Sequence, residues 1–265
     1  MYNRAVCLMH MGDHRYAVPD LLAVERENPF YDRQLYIGLA MCFASANDFV
    51  TAIRWLSKGL IKFPKFVEGF VTRAKLYIQQ SNWDKAIGDC YKAITLSPAD
   101  PTGFNGLGDA LKGIGDIKSA GQAYTKAINL NDSTGLALQK RSRLYFEIER
   151  YDKAVKDVEG YIVLQPFDAS AYYLKGEILR KMGGENDAIL SFEQAIKYDD
   201  ETVNLTTNAL YNIGCIKIEQ KDFYGAMFTF DRVTDSKSFT KDQNALKQYS
   251  ESVLAMMKRK YKEGI

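Results

Sequence analysis

Apolar positions recur along this chain in two successive helical sets separated by a short polar break. Phe70, Ala74 and Tyr77 form the first set, and Ala86, Ile87, Cys90, Ala93 and Ile94 form the second. Residues three and four apart share one face of an α-helix, so each set predicts an amphipathic helix. The break holds "SN" at 81–82, and the second set closes on Pro98. Proline lacks the amide that a helix interior needs and its ring meets the preceding turn. The pattern therefore predicts helix, turn, helix and stop.

The same pattern returns at a fixed interval. "SNWDKAIGDCYKAITLSPADP" (81–101) is echoed by "RYDKAVKDVEGYIVLQPFDAS" (150–170), and more loosely by "DIKSAGQAYTKAINLNDST" (116–134) and "ENDAILSFEQAIKYDDET" (185–202). One alanine marks the register, at Ala17, Ala52, Ala86, Ala120, Ala154, Ala188 and Ala226, in steps of 35, 34, 34, 34, 34 and 38. Always 12 residues upstream stands a second small residue: Ala5, Ala40, Ala74, Gly108, Ser142, Gly176 or Gly214. Pro29, Pro64, Pro98 and Pro166 close four of the repeats, and Asp132 and Asp200 take the equivalent place in two others. The small residues are expected to let the paired helices approach closely. Large ones, among them Tyr36, Phe70, Phe104 and Tyr172, and also Tyr124, Phe192 and Phe230, are expected to fill the space between repeats. A single helix pair cannot bury its apolar face, whereas a stack of pairs makes a continuous core.

This wording resembles the tetratricopeptide repeat family over residues 1–236, in seven repeats. The resemblance implies an all-α fold, a right-handed superhelical solenoid of helix-turn-helix repeats whose first helices line a concave groove. The first repeat is short at its start, because Ala5 already holds its small position; this predicts that the chain is a piece of a longer protein. Residues 237–265 are expected to form a capping helix. Thr240 and Gln243 make a capping-box pattern, and Leu246, Tyr249, Val253 and Met256 or Met257 make one apolar stripe under a polar face. A four-residue insertion near Val203 to Thr206 predicts a kink or a protruding loop.

A length of 265 residues could hold two globular domains, but the repeat predicts one elongated array. The net charge of +2 gives no general drive toward nucleic acid or membrane. No apolar run reaches the length of a membrane span, and "MYNRAVCLMHMGDHRY" is too interrupted by charge for a signal peptide. Cys7, Cys42, Cys90 and Cys215 lack any paired spacing, which fits reduced thiols in an intracellular, cytoplasmic protein. His10 and His14 are four apart, yet Gly12 interrupts their helix and no zinc-protease glutamate accompanies them. "GFNGLGDALKGIGD" (103–116) is rich in glycine but lacks the preceding strand and closing lysine of a phosphate loop. "MKRKYK" (257–262) is a basic run of the kind that suits a helix C-terminus. No catalytic constellation, metal site or cofactor site is expected.

The resemblance places one stripe of each first helix in the groove. The stripe begins with Tyr2, Val6 and Met9, and continues with Ile37, Met41 and Ala44, then Val71, Lys75 and Ile78. It passes to Asn105, Asp109 and Lys112, then Gln139, Arg143 and Phe146, then Tyr173, Glu177 and Arg180, and ends at Tyr211, Cys215 and Ile218. Its N-terminal part is apolar and its middle carries mixed charge, a lining that suits an amphipathic helix or an extended peptide. Of these residues, Ile37, Met41, Val71, Lys75, Ile78, Asn105, Asp109, Lys112, Gln139, Arg143, Tyr173 and Arg180 are the candidate peptide contacts. Co-chaperones of this family grip the C-terminal carboxylates of heat-shock proteins with a lysine and asparagine clamp. Here the matching pairs are Tyr2 and Val6, Ile37 and Met41, Val71 and Lys75, and Asn105 and Asp109, and none has the clamp residues. The expectation is a non-catalytic scaffold or adaptor in a larger intracellular assembly, such as a ciliary, transport or ubiquitin-ligase complex. It would bind protein partners rather than nucleic acid or membrane, and its exposed N-terminal edge would extend the array or dock a neighbour. The alternatives are the co-chaperone and a substrate-recruiting arm of a larger enzyme.

Overall fold

The computed structural model describes residues 1–130, 133–199, 205–234, 251 and 253–259. Among them there is no strand, and the helices come in pairs. The first pairs are α1 (Tyr2–His10) with α2 (His14–Glu27), α3 (Gln34–Ser45) with α4 (Phe49–Lys62), α5 (Val67–Gln79) with α6 (Trp83–Leu96), and α7 (Pro101–Gly113) with α8 (Ile117–Asn129). They are followed by α9 (Leu136–Glu147) with α10 (Tyr151–Leu164), α11 (Ala169–Lys181) with α12 (Glu185–Tyr198), and α13 (Leu205–Glu219) with α14 (Phe223–Thr234). The chain forms two compact units, Met1–Asp132 and Ser133–Ile265. The first holds four helix pairs and the second holds three, and within each unit successive pairs stack.

The polar breaks between paired helices are all one motif. The amide after the break bonds the carbonyl five residues back: Asp13 to Leu8, Asp48 to Phe43, Asn82 to Tyr77, Asp116 to Leu111, Arg150 to Tyr145, Gly184 to Leu179 and Asp222 to Lys217, at 2.8–3.0 Å. This satisfies a carbonyl that the helix end would otherwise leave unpaired. The residue before that amide lies in the left-handed region. It is Gly12, Gly115 or Gly183 in three repeats, and Asn47, Ser81, Glu149 or Lys221 (φ 54–63°) in the other four. Three of the aspartates then cap the second helix, Asp48 to the Thr51 amide (3.0 Å), Asp116 to Ser119 (3.1 Å) and Asp222 to Gly225 (2.9 Å).

Within a pair, the small position and the residue sixteen further on are matched in size. Where the first helix has glycine the second has a ring: Gly108 under Tyr124, Gly176 under Phe192 and Gly214 under Phe230. A Cβ on Gly176 would lie 2.7 Å from the Phe192 ring, and one on Gly214 would lie 2.6 Å from the Phe230 ring. Where the first helix has alanine or serine, the second has Leu21, Leu56, Cys90 or Val158, all buried. Of the rings expected to fill the space between repeats, Phe192 shares a core with Ala209, Ile213 and Ile216 of the next repeat and Phe230 with Val253, Leu254 and Met257 beyond its own, and with Tyr124 they also pack within a repeat. Their rings lie over the glycine of their own repeat, because only glycine leaves room for them there. Tyr36 and Tyr172 also join successive repeats. Their hydroxyls reach back to the carbonyls of Pro29 (2.8 Å) and Pro166 (3.0 Å).

A second match at the same offset is ionic. Arg73 donates to both carboxylate oxygens of Asp89 at 2.7 Å, Arg141 does the same to Asp157 at 2.7 Å, and Arg4 pairs with Asp20. Each arginine directly precedes the small residue of the first, third or fifth repeat. In the second and fourth repeats the same two places hold Leu39 with Trp55 and Leu107 with Ala123. Leu39, Leu107 and Ala123 are buried, whereas Trp55 is half-buried.

In the second unit, Val253, Leu254 and Met257 pack with Leu210, Ala226, Phe230 and Val233, and Lys258 pairs with Asp231 at 2.9 Å. Met257 is buried while Met256 is exposed, so Met257 takes the place on the stripe. Thr240, Gln243, Leu246, Tyr249, the second half of the basic run (260–262) and Val203 lie outside the described residues.

Candidate peptide-binding surface

In the first unit the stripe has a buried and an open part. Ile37, Val71 and Asn105 are buried, so packing against neighbouring helices takes most of their surface. Ile78 and Lys112 are half-buried. Met41 stays 48% exposed, and Lys75 is exposed with no carboxylate at ion-pair distance among the described residues. Asp109 accepts a 2.8 Å hydrogen bond from the Tyr124 hydroxyl, which holds this carboxylate against the ring that covers Gly108. An apolar surface with the exposed Lys75 cation can seat a partner's apolar side chain and one acceptor.

In the second unit the stripe is polar and partly locked. Arg180 Nη1 donates to Asn212 Oδ1 (2.9 Å), and Arg180 Nη2 donates to Glu219 Oε1 (2.6 Å). Asn212 Nδ2 in turn donates to the Tyr173 hydroxyl oxygen (3.1 Å). This chain ties α11 to α13 and fixes the direction of Arg180. Burial, then the nearby Glu177 charge, pushes the Tyr173 phenol up to about 12, opposed by Asn212 and Arg180. Burial also raises the Glu177 carboxyl above its ordinary value, opposed by the charges of Arg143 and Lys181. Arg143 itself is exposed and makes no ion pair among the described residues; Gln139 is half-buried.

Asn212 and Glu219 were not among the residues the sequence pointed to, nor were the Arg–Asp pairs. The pairs did leave a signal: arginine directly before the small residue, with aspartate sixteen further on. Asn212 and Glu219 left none, since neither recurs at the repeat interval. Near the turns of the first two repeats lies a separate cleft of about 560 Å³, lined by His14, Tyr16, Val18, Phe43 and Ser45 among others. His14 Nδ1 is buried without a partner, and His10 is exposed. No three metal-ligating side chains gather among the described residues, and no described helix is long and apolar enough to cross a membrane.

Comparison with known proteins gives the same reading of the fold. A family model described as "Tetratricopeptide repeat" matches residues 102–134 and 169–202. The chain is 22% identical over 138 residues to anaphase-promoting complex subunit 3 of Schizosaccharomyces pombe, covering 52% of this chain and 21% of that one. It is 29% identical over 166 residues to tetratricopeptide repeat protein 13 of Homo sapiens, covering 61% and 19%. The chain therefore spans about a fifth of the length of these relatives. A crystal structure of a tetratricopeptide repeat protein from Parabacteroides merdae superposes over 96% of both chains, with a TM-score of 0.63 at 19% identity. With two repeats matched to the family model and the same helix pair, turn and spacing in the other five, the chain belongs to the tetratricopeptide repeat family.

Proposed function

We propose that the protein is a non-catalytic scaffold or adaptor that receives a helical or extended segment of a protein partner on its first-helix stripes, inside a larger intracellular assembly. The observation that carries the reading is the state of three groups. Met41 keeps half its surface in water, and Lys75 and Arg143 are exposed on first helices with no carboxylate at ion-pair distance among the described residues. Beside them, Ile37 and Val71 are packed away as core residues. The Schizosaccharomyces pombe relative is named as a subunit of a multiprotein complex, which supports an assembly role for the present chain. The free thiols of Cys7, Cys42 and Cys215 support a reducing compartment.

The test is affinity capture from native lysate with the wild type beside Lys75→Glu/Arg143→Glu, read by mass spectrometry. Partners retained by the wild type and lost from the charge-reversed chain are expected, with helix content and melting unchanged, since both side chains are exposed. Equal partners on both baits would move the function to another surface, and an unfolded double variant would overturn the assignment of these residues to an open stripe.

A further inference from the structure

The joints between repeats obey a rule of their own, and α1 and α14 carry its two halves. Two places after the small residue of a first helix stands a side chain that meets the second helix of the preceding repeat. Cys42 shares a core with Ala17 and Leu21, Leu76 with Ala52 and Leu56, Ile178 with Ala154 and Val158, and Ile216 with Ala188 and Phe192. One place before the small residue, a cation reaches the fifth residue past the register alanine of that second helix. Arg73 Nη1 donates to Ser57 Oγ (2.8 Å), and Lys175 pairs with Glu159 (2.8 Å). Past α14, the helical residues 253–259 take the part of a further first helix. Leu254 and Met257 share a core with Ala226 and Phe230, and Lys258 pairs with Asp231, again five past the register alanine. On α1 the matching face is open. Cys7 is exposed, at a place whose residue is buried in every later repeat. Arg4 gives Nε and Nη2 to Asp20, as Arg73 does to Asp89, but its Nη1 meets no acceptor among the described residues. The Arg4 side chain is 71% exposed, against 18% for Arg73.

We infer that the open face of α1 docks onto α14 of a second copy of this chain, in competition with that copy's own residues 253–259. The joint is the one the chain already makes between its own repeats. Cys7 takes the place against Ala226 and Phe230 that Ile216 takes against Ala188 and Phe192, and Arg4 Nη1 meets Asp231 as Lys175 meets Glu159. Charge selects this occupant. Among the described second helices, α14 is the one covered by a helix from outside the repeats, and it carries a carboxylate where Arg4 lacks an acceptor. The covering helix holds Asp231 through an ion pair whose side chains are both about half exposed, so water and salt weaken it. The contact joins unlike faces, so a copy that docks through α1 still offers its own α14. The inference goes beyond the stripe reading and does not rest on it, because Arg4, Cys7 and Asp231 all lie off the stripe.

The experiment is sedimentation equilibrium of the full chain in reducing buffer, with weight-average mass followed against concentration. Lys258→Glu sets two carboxylates face to face, and Leu254→Asp puts a charge into the buried contact of the covering helix, so either variant bares α14. Both are expected to associate at concentrations about tenfold below those the wild type needs. Adding Cys7→Glu, at a position exposed in the single chain, should return each of them to the mass of one chain. Lys258→Glu leaves every buried side chain in place, so it decides the matter if Leu254→Asp unfolds the last repeat. Cap variants that associate no more readily than the wild type overturn the inference. Association that survives Cys7→Glu overturns it as well, because two bared α14 faces would then be meeting each other.

Discussion

Glu177 is a residue that the fold would be more stable without. Burial raises its pKa in the folded chain above the unfolded value of about 4.3. The folded state therefore binds the proton more tightly, and stability falls as pH rises through the unfolded and then the folded pKa. Glu177→Gln should accordingly raise the urea midpoint at pH 7, and the gain should vanish below about pH 4, where the carboxyl is protonated in both states. An equal gain at both pH values would mean that the charge is not what destabilises the site. The match of Gly176 to Phe192 predicts the opposite sign. Gly176→Ala drives a Cβ into the ring and should cost about 1–3 kcal/mol, with Phe192→Leu in the same chain recovering part of the loss. Additive losses in that double-mutant cycle would show that the two residues do not meet. This match was visible in the sequence as an offset of sixteen. What the sequence could not say was which neighbour each ring covers, because a ring between repeats and a ring within one leave the same spacing on paper.

At the scale of the element, the turn shows how little the sequence has to spell out. Seven turns share one hydrogen-bond pattern, yet only three use glycine at the left-handed residue. Glutamate at that φ meets its own carbonyl through Cβ, while glycine does not. Glu149→Gly should therefore stabilise the protein by up to about 1 kcal/mol, the relief exceeding the extra freedom glycine has when unfolded. A lower melting point would contradict it. The paired helices also carry the ionic match. Arg141→Met leaves the buried Asp157 carboxylate without its two donors and should cost roughly 3 kcal/mol, whereas Arg141→Met/Asp157→Leu should be nearly neutral by chemical denaturation. Helix and turn positions could be read from periodicity because every repeat obeys them. The Arg180 contacts could not, since Asn212 and Glu219 lie 32 and 39 residues away and neither distance is the repeat interval.

At the scale of the whole molecule, the sequence announced an array of like parts, and such an array carries a hazard of its own. Any first helix could pair with the second helix of another repeat, in the same chain or in a second copy. The Arg–Asp pairs of the first, third and fifth repeats act on that hazard. A slip of one repeat sets Arg73 against Trp55 or Ala123 and strands both the guanidinium and Asp89. A slip of two sets it against Asp20 or Asp157 and restores the bond. Erasing one pair with Arg73→Leu/Asp89→Ala should raise the fraction of exchanged oligomer after refolding from denaturant, measured by light scattering on a sizing column; an unchanged fraction would show that the pairs do not guard register. By its backbone the chain counts every repeat, but over its first five repeats its charges count odd and even. An error of assembly by one place is thereby spoiled, and the errors left for it to make should come in twos.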